Sequence, residues 1–287
     1  MNYIIFWPVL LQTQLSRILI FLILKEDNKT YVDTSKVSIR EINKAIAKDM
    51  IVTYHYSHAW TMCRYSLGIF YKTDELDILG NDEQLIGVAV YGYPVGRSAV
   101  KSIIDGLGND QCLELTRLFI HDGYGSNIES YALGQTFRWM REHAPNIKML
   151  LSYSDPFQGH LGGIYRATNW LFQDTNKIQL MPNYGISLEG EDGTYIHSRT
   201  VFSKWGSHNL EHLKTEIGKD GYKEFWRRKE MSKLRYIQIL PTNKGEKKKL
   251  MNSLKHPCET PPKDISDILP KSERYETYEP ENMVNFW

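Results

Sequence analysis

Leu113-Glu114-Leu115-Thr116-Arg117-Leu118-Phe119-Ile120, with the run from Gly123 to Asp155 that follows it, is the stretch of this chain that decides the fold. Its opening residues alternate apolar with polar as a strand does. A turn carrying Gly123, Gly125 and Asn127 comes next, and Glu129 to His143 spaces its apolar residues as a helix does. Met149-Leu150-Leu151-Ser152-Tyr153 then reads as a buried strand that stops at Ser154-Asp155-Pro156. Gly159-His160-Leu161-Gly162-Gly163-Ile164-Tyr165-Arg166-Ala167-Thr168-Asn169-Trp170 opens a second helix. Strand and helix in this order predict an α/β (α+β) fold, a mixed sheet flanked by helices, with ligands held by the loops that follow the strands.

Outward from this unit, Lys36 to Arg40 reads as a first strand and Ile42 to Tyr56 as a helix. Cys63 to Tyr71 and Gln84 to Tyr93 are rich in β-branched and aromatic residues and read as antiparallel neighbours. Ser98 to Leu107 reads as a short helix. Downstream, Leu171 to Leu180 and Thr194 to Phe202 are expected to complete the sheet around a turn at Gly190 to Gly193. Asn209 to Ile217 is expected to be helical, with Ser207 as its cap and Gly218 as its stop. Tyr222 to Leu234 reads as a basic, aromatic helix, and from Asn243 onward Lys, Glu, Pro and Ser point to a mobile tail. The expected division is an apolar segment 1–34, a catalytic domain 35–205, a basic helical extension 206–242 and a tail 243–287.

The 287 residues suffice for one good core, and an apolar share of 41% requires neither a membrane nor a fibre class. Cys63, Cys112 and Cys258 are widely spaced and odd in number, so neither a disulfide framework nor a thiolate zinc site is expected, and a reducing cytoplasm fits. The apolar start is broken by Pro8, Gln12, Gln14, Ser16 and Arg17, which spoils a membrane span of about 20 residues. It also lacks the form of a signal peptide. It reads as sequence added by a start codon placed too early, in preference to an anchor.

Net charge is +1, but its distribution matters more: Arg227 to Lys249 holds nine Lys or Arg against two Glu. Arg227, Arg228, Lys229 and Lys233, interleaved with Tyr222, Phe225, Trp226 and Tyr236, suit the phosphates of double-stranded DNA or a plain solvated face. The helix that begins near Ser126 and Asn127 offers leading amides to a phosphate, or is simply capped by one of them. Arg117 shares a strand face with Leu115 and Phe119 and needs an anion, from a ligand or from Glu114 or Glu129. His55 and His58 share one side if they lie on a helix, a spacing seen in metal ligands and in packed aromatic clusters alike. With Asp155 at a strand end, His160 and Tyr165, the donor types suit iron or a similar divalent ion.

Four pieces together resemble the Mom family of phage DNA-modification enzymes, which carry a GNAT-like acyltransferase fold. They are Tyr54-His55-Tyr56-Ser57-His58, Leu115-Thr116-Arg117-Leu118-Phe119, Tyr153-Ser154-Asp155-Pro156, and Gly159-His160 with Ile164 to Trp170. The likeness spans about Ser35 to Trp205. It implies transfer of an acetyl-CoA-derived group to N6 of adenine in DNA, giving a carbamoylmethyl or methylcarbamoyl adenine that shields DNA from restriction. It implies an acetyl-CoA pocket at Arg117 and Ser130, beside the Ser126-Asn127 helix start, and iron (Fe2+ or Fe3+). It makes His55, Tyr56, Asp155 and Tyr165 the important site residues, of which His55, Tyr56 and Asp155 are the expected metal ligands. The glycine-rich cofactor turn of ordinary GNAT enzymes is missing here. Because adenine N6 is a poor nucleophile hidden in the duplex, base flipping is expected, with Tyr54, Tyr56, Trp60 and Tyr65 as candidates to hold the base. No obligatory protein partner is expected. The competing readings are a GNAT N-acetyltransferase acting on a small-molecule or protein amine, and an inactive DNA-binding protein of degenerate GNAT fold.

Overall fold

A computed structural model describes residues 31–267 except 75, 77–79, 81, 96–97, 157–158, 179–182, 191 and 231. The apolar start and the acidic end of the chain, 268–287, lie outside the described residues. In chain order the regular elements are β1 (Val37–Glu41), α1 (Lys44–Tyr54), β2 (Tyr65–Lys72), β3 (Glu83–Gly92), β4 (Cys112–Ile120), α2 (Ile128–His143) and β5 (Met149–Ser154). There follow α3 (Gly163–Ala167), β6 (Leu171–Gln173), α4 (Thr175–Ile178), β7 (Asn183–Ser187), α5 (Ser198–Trp205) and α6 (Leu210–Lys219). The last are β8 (Trp226–Glu230), β9 (Leu234–Ile239) and α7 (Lys244–Asn252). Seven strands form one mixed sheet in the order β1-β2-β3-β4-β5-β9-β6, and β7 pairs with β8.

The chain divides into two compact units. In the first, 1–61 with 65–90 and 117–139, β1 pairs antiparallel with β2 from Val37↔Tyr71 to Glu41↔Leu67. Ile69, Ile86, Ile120, Ile128 and Ala132 form its core with Val32. Gly87 is required there, because a Cβ would run into the backbone of Phe119. In the second unit, 62–64 with 91–116 and 140–287, the parallel pairing of β4 with β5 covers Cys112↔Met149 to Glu114↔Leu151. A two-stranded parallel junction needs a crossover, and α2 supplies it. Past Leu151 the ladder stops, and Ser152 reaches Leu115 by its side chain, Oγ donating to the carbonyl at 2.9 Å.

Several expectations change at the C-terminal side. Tyr222 to Leu234 is not a helix: it holds β8 and leads into β9, which lies between β5 and β6 and pairs antiparallel with both. Leu234, Tyr236 and Ile237 are buried on alternate faces of a central strand, so the sheet is not complete at Trp205 and there is no helical extension over 222–234. Thr194 to Phe202 does not join the sheet either. His197 caps α5 by accepting from Arg199 N at 3.1 Å, and Val201 and Trp205 are buried with Leu213, Ile217 and Phe225. Of Leu171 to Leu180 only β6 is strand, and Ser98 to Leu107 contributes one short 3-10 turn at Val100–Ser102. Asn209, not Ser207, caps α6. Nor is everything after Asn243 a tail: Asn243 caps α7, whose Leu250 packs with Met149, Leu151, Ile237 and Ile239.

Candidate active site

The run Tyr54 to His58 sits just past α1. Asn43 starts that helix by accepting from Ala45 N at 2.8 Å, and it ends because His55 turns extended, with ψ 139. His58 takes a left-handed φ of 44, and its N–H donates to His55 O at 2.9 Å, closing a tight turn. The two histidines therefore do not share a helical face. His58 Nδ1 meets Val52 O at 2.9 Å, where it must donate. His55 is buried, and its Nδ1 accepts from Ser57 N at 3.1 Å with Ser57 Oγ 2.8 Å away. Its lone pair on Nδ1 is thus occupied, which puts the proton of the neutral ring on Nε2, a poor arrangement for metal ligation through Nε2.

The same turn is pinned to β4. Tyr54 stacks on Phe119 with centroids 5.7 Å apart and meets His121 edge-on at 4.8 Å. Arg117, on the face it shares with Phe119, donates from Nε to Ala59 O at 3.1 Å. Tyr56 lies against His55 at 4.3 Å yet is 67% exposed, so its ring is available to an incoming aromatic group. Tyr65, by contrast, packs edge-on against Trp139. At the start of α2, Ser126 is exposed, Asn127 Oδ1 accepts from Val32 N at 2.8 Å, and Ser130 Oγ donates to Asn127 O at 3.0 Å. Asn127 therefore ties the loop down, and Ile128 N donates to Gly125 O at 3.3 Å, which leaves the amides of Glu129 and Ser130 at the helix start. Arg117, Ser130 and these amides have the chemistry that would hold a cofactor phosphate.

Asp155 and Tyr165 belong to the second unit. Asp155 follows β5, its carbonyl accepts from His160 N at 3.1 Å, and its carboxylate lies 3.6 Å from Lys233 Nζ. Tyr165, on α3, has its hydroxyl 2.7 Å from Ser152 Oγ. Since the one Ser152 proton goes to Leu115 O, the Tyr165 hydroxyl donates to Ser152 Oγ. Tyr236 stacks on the Tyr165 ring at 4.7 Å and donates to Leu161 O at 2.6 Å. Burial pushes its hydroxyl up to about 12, so it stays a donor. Gly162, at φ 76, is the one residue type that fits beneath that ring, since a Cβ would enter it.

Ser152 and Tyr236 are site residues that sequence reasoning did not single out. Ser152 had a signal, a lone hydroxyl in an otherwise apolar buried strand, which must find a partner. Lys233 turns to Asp155, Arg227 is buried with its guanidinium over Tyr184 at 4.1 Å, and Arg228 lies over Tyr195 at 4.0 Å. Of these three only Arg227 is buried; Lys233 is 56% exposed and Arg228 partly so. Among the described residues no group of three His, Cys, Asp or Glu is placed to hold a metal ion, so no step below runs through iron. No helix among them is long and apolar enough to cross a membrane, and the three cysteines are free.

Over residues 36–261 the sequence matches the Mom protein family. It is 25% identical over 223 residues to the methylcarbamoylase mom of Escherichia phage Mu, covering 77% of this chain and 82% of that one. The family match takes in β1 through α7, including both groups of site residues, and on that extent the chain belongs to the Mom protein family.

Proposed function

We propose that this chain is a DNA-modifying transferase that places an acetyl-CoA-derived methylcarbamoyl group, or its carbamoylmethyl isomer, on N6 of adenine, on a GNAT-like scaffold. The observation that carries the reading is the Asp155 carboxylate, 3.6 Å from Lys233 Nζ at the strand end where α/β sheets hold ligands, on the same unit as Tyr165, whose hydroxyl is anchored to Ser152 of β5. The amino group of adenine is a weak nucleophile because its lone pair is shared with the ring. A carboxylate that takes its proton as the new bond forms, the role proposed for Asp155, is the assistance it needs, worth about 10² to 10⁴ in rate. On the first unit, exposed Tyr56 is the side chain proposed to stack on an extruded base. When bound, acetyl-CoA would supply the carbon of the added group, with Arg117, Ser130 and the α2 amides holding its phosphates. The name of the phage Mu relative, a methylcarbamoylase, supports the identity of the added group. Protection of DNA from restriction is the role that goes with it.

The test is digestion of DNA from cells that express the chain, with mass spectrometry of the nucleosides. A deoxyadenosine carrying the added mass is expected. It should disappear in Asp155→Asn, which keeps shape and removes charge. Unmodified DNA from cells holding folded protein, or normal modification by Asp155→Asn, would sink the reading, and acetylation of a small amine in place of DNA would move the chain to the other GNAT class.

A further inference from the structure

On the second unit, Tyr153, Arg235 and Gln173 stand in register across three strands, Tyr153↔Arg235 on one side of β9 and Gln173↔Arg235 on the other. The next row, Ser152, Tyr236 and Phe172, points to the opposite face. Tyr165 bonds Ser152 and stacks on Tyr236, so it occupies that opposite face and Arg235 points away from it. Arg235 is only 6% exposed. Its Nε donates to Gln173 Oε1 at 2.9 Å, and Gln173 is held in turn, Nε2 donating to His256 O at 2.7 Å. The Nη2 group, however, is buried without a hydrogen-bond partner, and among the described residues no carboxylate forms an ion pair with this guanidinium. The remaining titratable groups beside it are the Tyr153 hydroxyl, within hydrogen-bonding reach of the guanidinium, and the Cys258 thiol, both pushed up by burial and so neutral near pH 7. Burial also lowers Arg235 below its ordinary value, the mark of a charge not fully compensated. Arg227, the other buried arginine, is different, since its charge rests on the face of Tyr184.

A buried cation with a spare N–H pair is an unfavourable arrangement by itself and a favourable one with an anion in place. We propose that Arg235 anchors an anion site on the sheet face opposite Tyr165, taking a small oxyanion of the phosphate or carboxylate class between its Nη2 group and the Tyr153 hydroxyl. The segment that bounds the site is tied to β6 at two points, Gln173 Nε2 donating to His256 O at 2.7 Å and Glu259 N donating to Phe172 O at 2.9 Å, while Lys177 of α4 pairs with Glu259 at 2.6 Å. Cys258 lies between the two ties, beside Gln173. The site is separate from the proposed chemistry at Tyr165 and stands whether or not DNA is the substrate.

The test follows the thermal unfolding midpoint of the full chain in sodium phosphate and in sodium acetate, each against sodium chloride of equal ionic strength. A saturable rise of about 3 °C or more is expected with at least one of the two. Phosphate alone assigns the phosphate class, acetate alone the carboxylate class. Arg235→Met, of similar size and without charge, should lose the response. That variant separates this site from the α2 amides, which also suit phosphate. In the unmodified protein the same anion should slow alkylation of Cys258, followed on its own peptide, several-fold. No saturable rise with either anion, an equal rise in Arg235→Met, or an unchanged Cys258 rate overturns the proposal.

Discussion

Tyr165 gives its hydroxyl proton to Ser152 Oγ because Ser152 spends its own proton on Leu115 O. Tyr165→Phe removes the hydroxyl proposed to act in the site and one hydrogen bond. The fold should lose about 1 kcal/mol, while modification of adenine should fall by about 10²-fold or more. Ser152→Ala leaves the phenol in place but unaimed, and a smaller loss of rate is expected. Equal modification by Tyr165→Phe and the unmodified protein, measured as modified nucleoside per adenine, would take Tyr165 out of the chemistry. The residue types at this site were legible in the sequence: His55, Tyr56, Asp155 and Tyr165 stood out by chemistry and by family likeness. Their hydrogen-bond directions were not, because which proton a hydroxyl or imidazole gives up depends on partners far away in the chain, as Ser152 depends on Leu115.

Two elements show how local geometry supports the site. Gly162 opens α3 in the left-handed region directly under the Tyr236 ring, so Gly162→Ala meets both backbone strain and the ring itself. A loss of at least about 2 kcal/mol is expected in denaturant unfolding, together with lower modification, as the helix that carries Tyr165 shifts. At the start of α7, Glu246 accepts from Thr242 Oγ1 at 2.7 Å and from Thr242 N at 2.6 Å, and pairs with Lys148 at 3.1 Å. The Thr242 hydroxyl and amide, with Lys148, hold its carboxyl down to about 2 from an ordinary 4.5. A depressed carboxyl stabilises the fold above its unfolded value and loses that contribution as pH falls through the folded one. The stability gap between the unmodified protein and Glu246→Gln should therefore be full above pH 4.5 and close as pH falls toward about 2. A gap that widens on acidification would contradict this account. The capping pattern of Asn243 and Glu246 was readable three residues apart, yet composition outweighed it, since a lysine-rich segment resembles a solvated tail.

At the scale of the whole molecule, the largest sheet depends on a strand from late in the chain. A chain cut after Trp205, or after Lys233, lacks β9 and leaves β5 and β6 without their common neighbour, with Leu151 and Met149 uncovered. Such truncations should show no cooperative thermal transition by circular dichroism in the second unit's share of the signal, whereas a melt like that of the full chain would mean that β9 is dispensable. The sequence by itself determined the central succession β4, α2, β5, α3 and the first hairpin strands, because period-two and helical spacing are local properties that their own residues encode. The helix that leads into Tyr54 to His58 and the likeness to the family were legible there as well. Only the tertiary structure decided that Trp226 to Ile239 forms strands. In that stretch alternating cations can lie on aromatic faces, as Arg227 does on Tyr184, or be buried, as Arg235 is beside Gln173. The choice between a basic helix and two strands was made by partners 39 or more residues away, β7 for β8 and β5 with β6 for β9, and pairing of that range leaves no mark on the strand's own sequence.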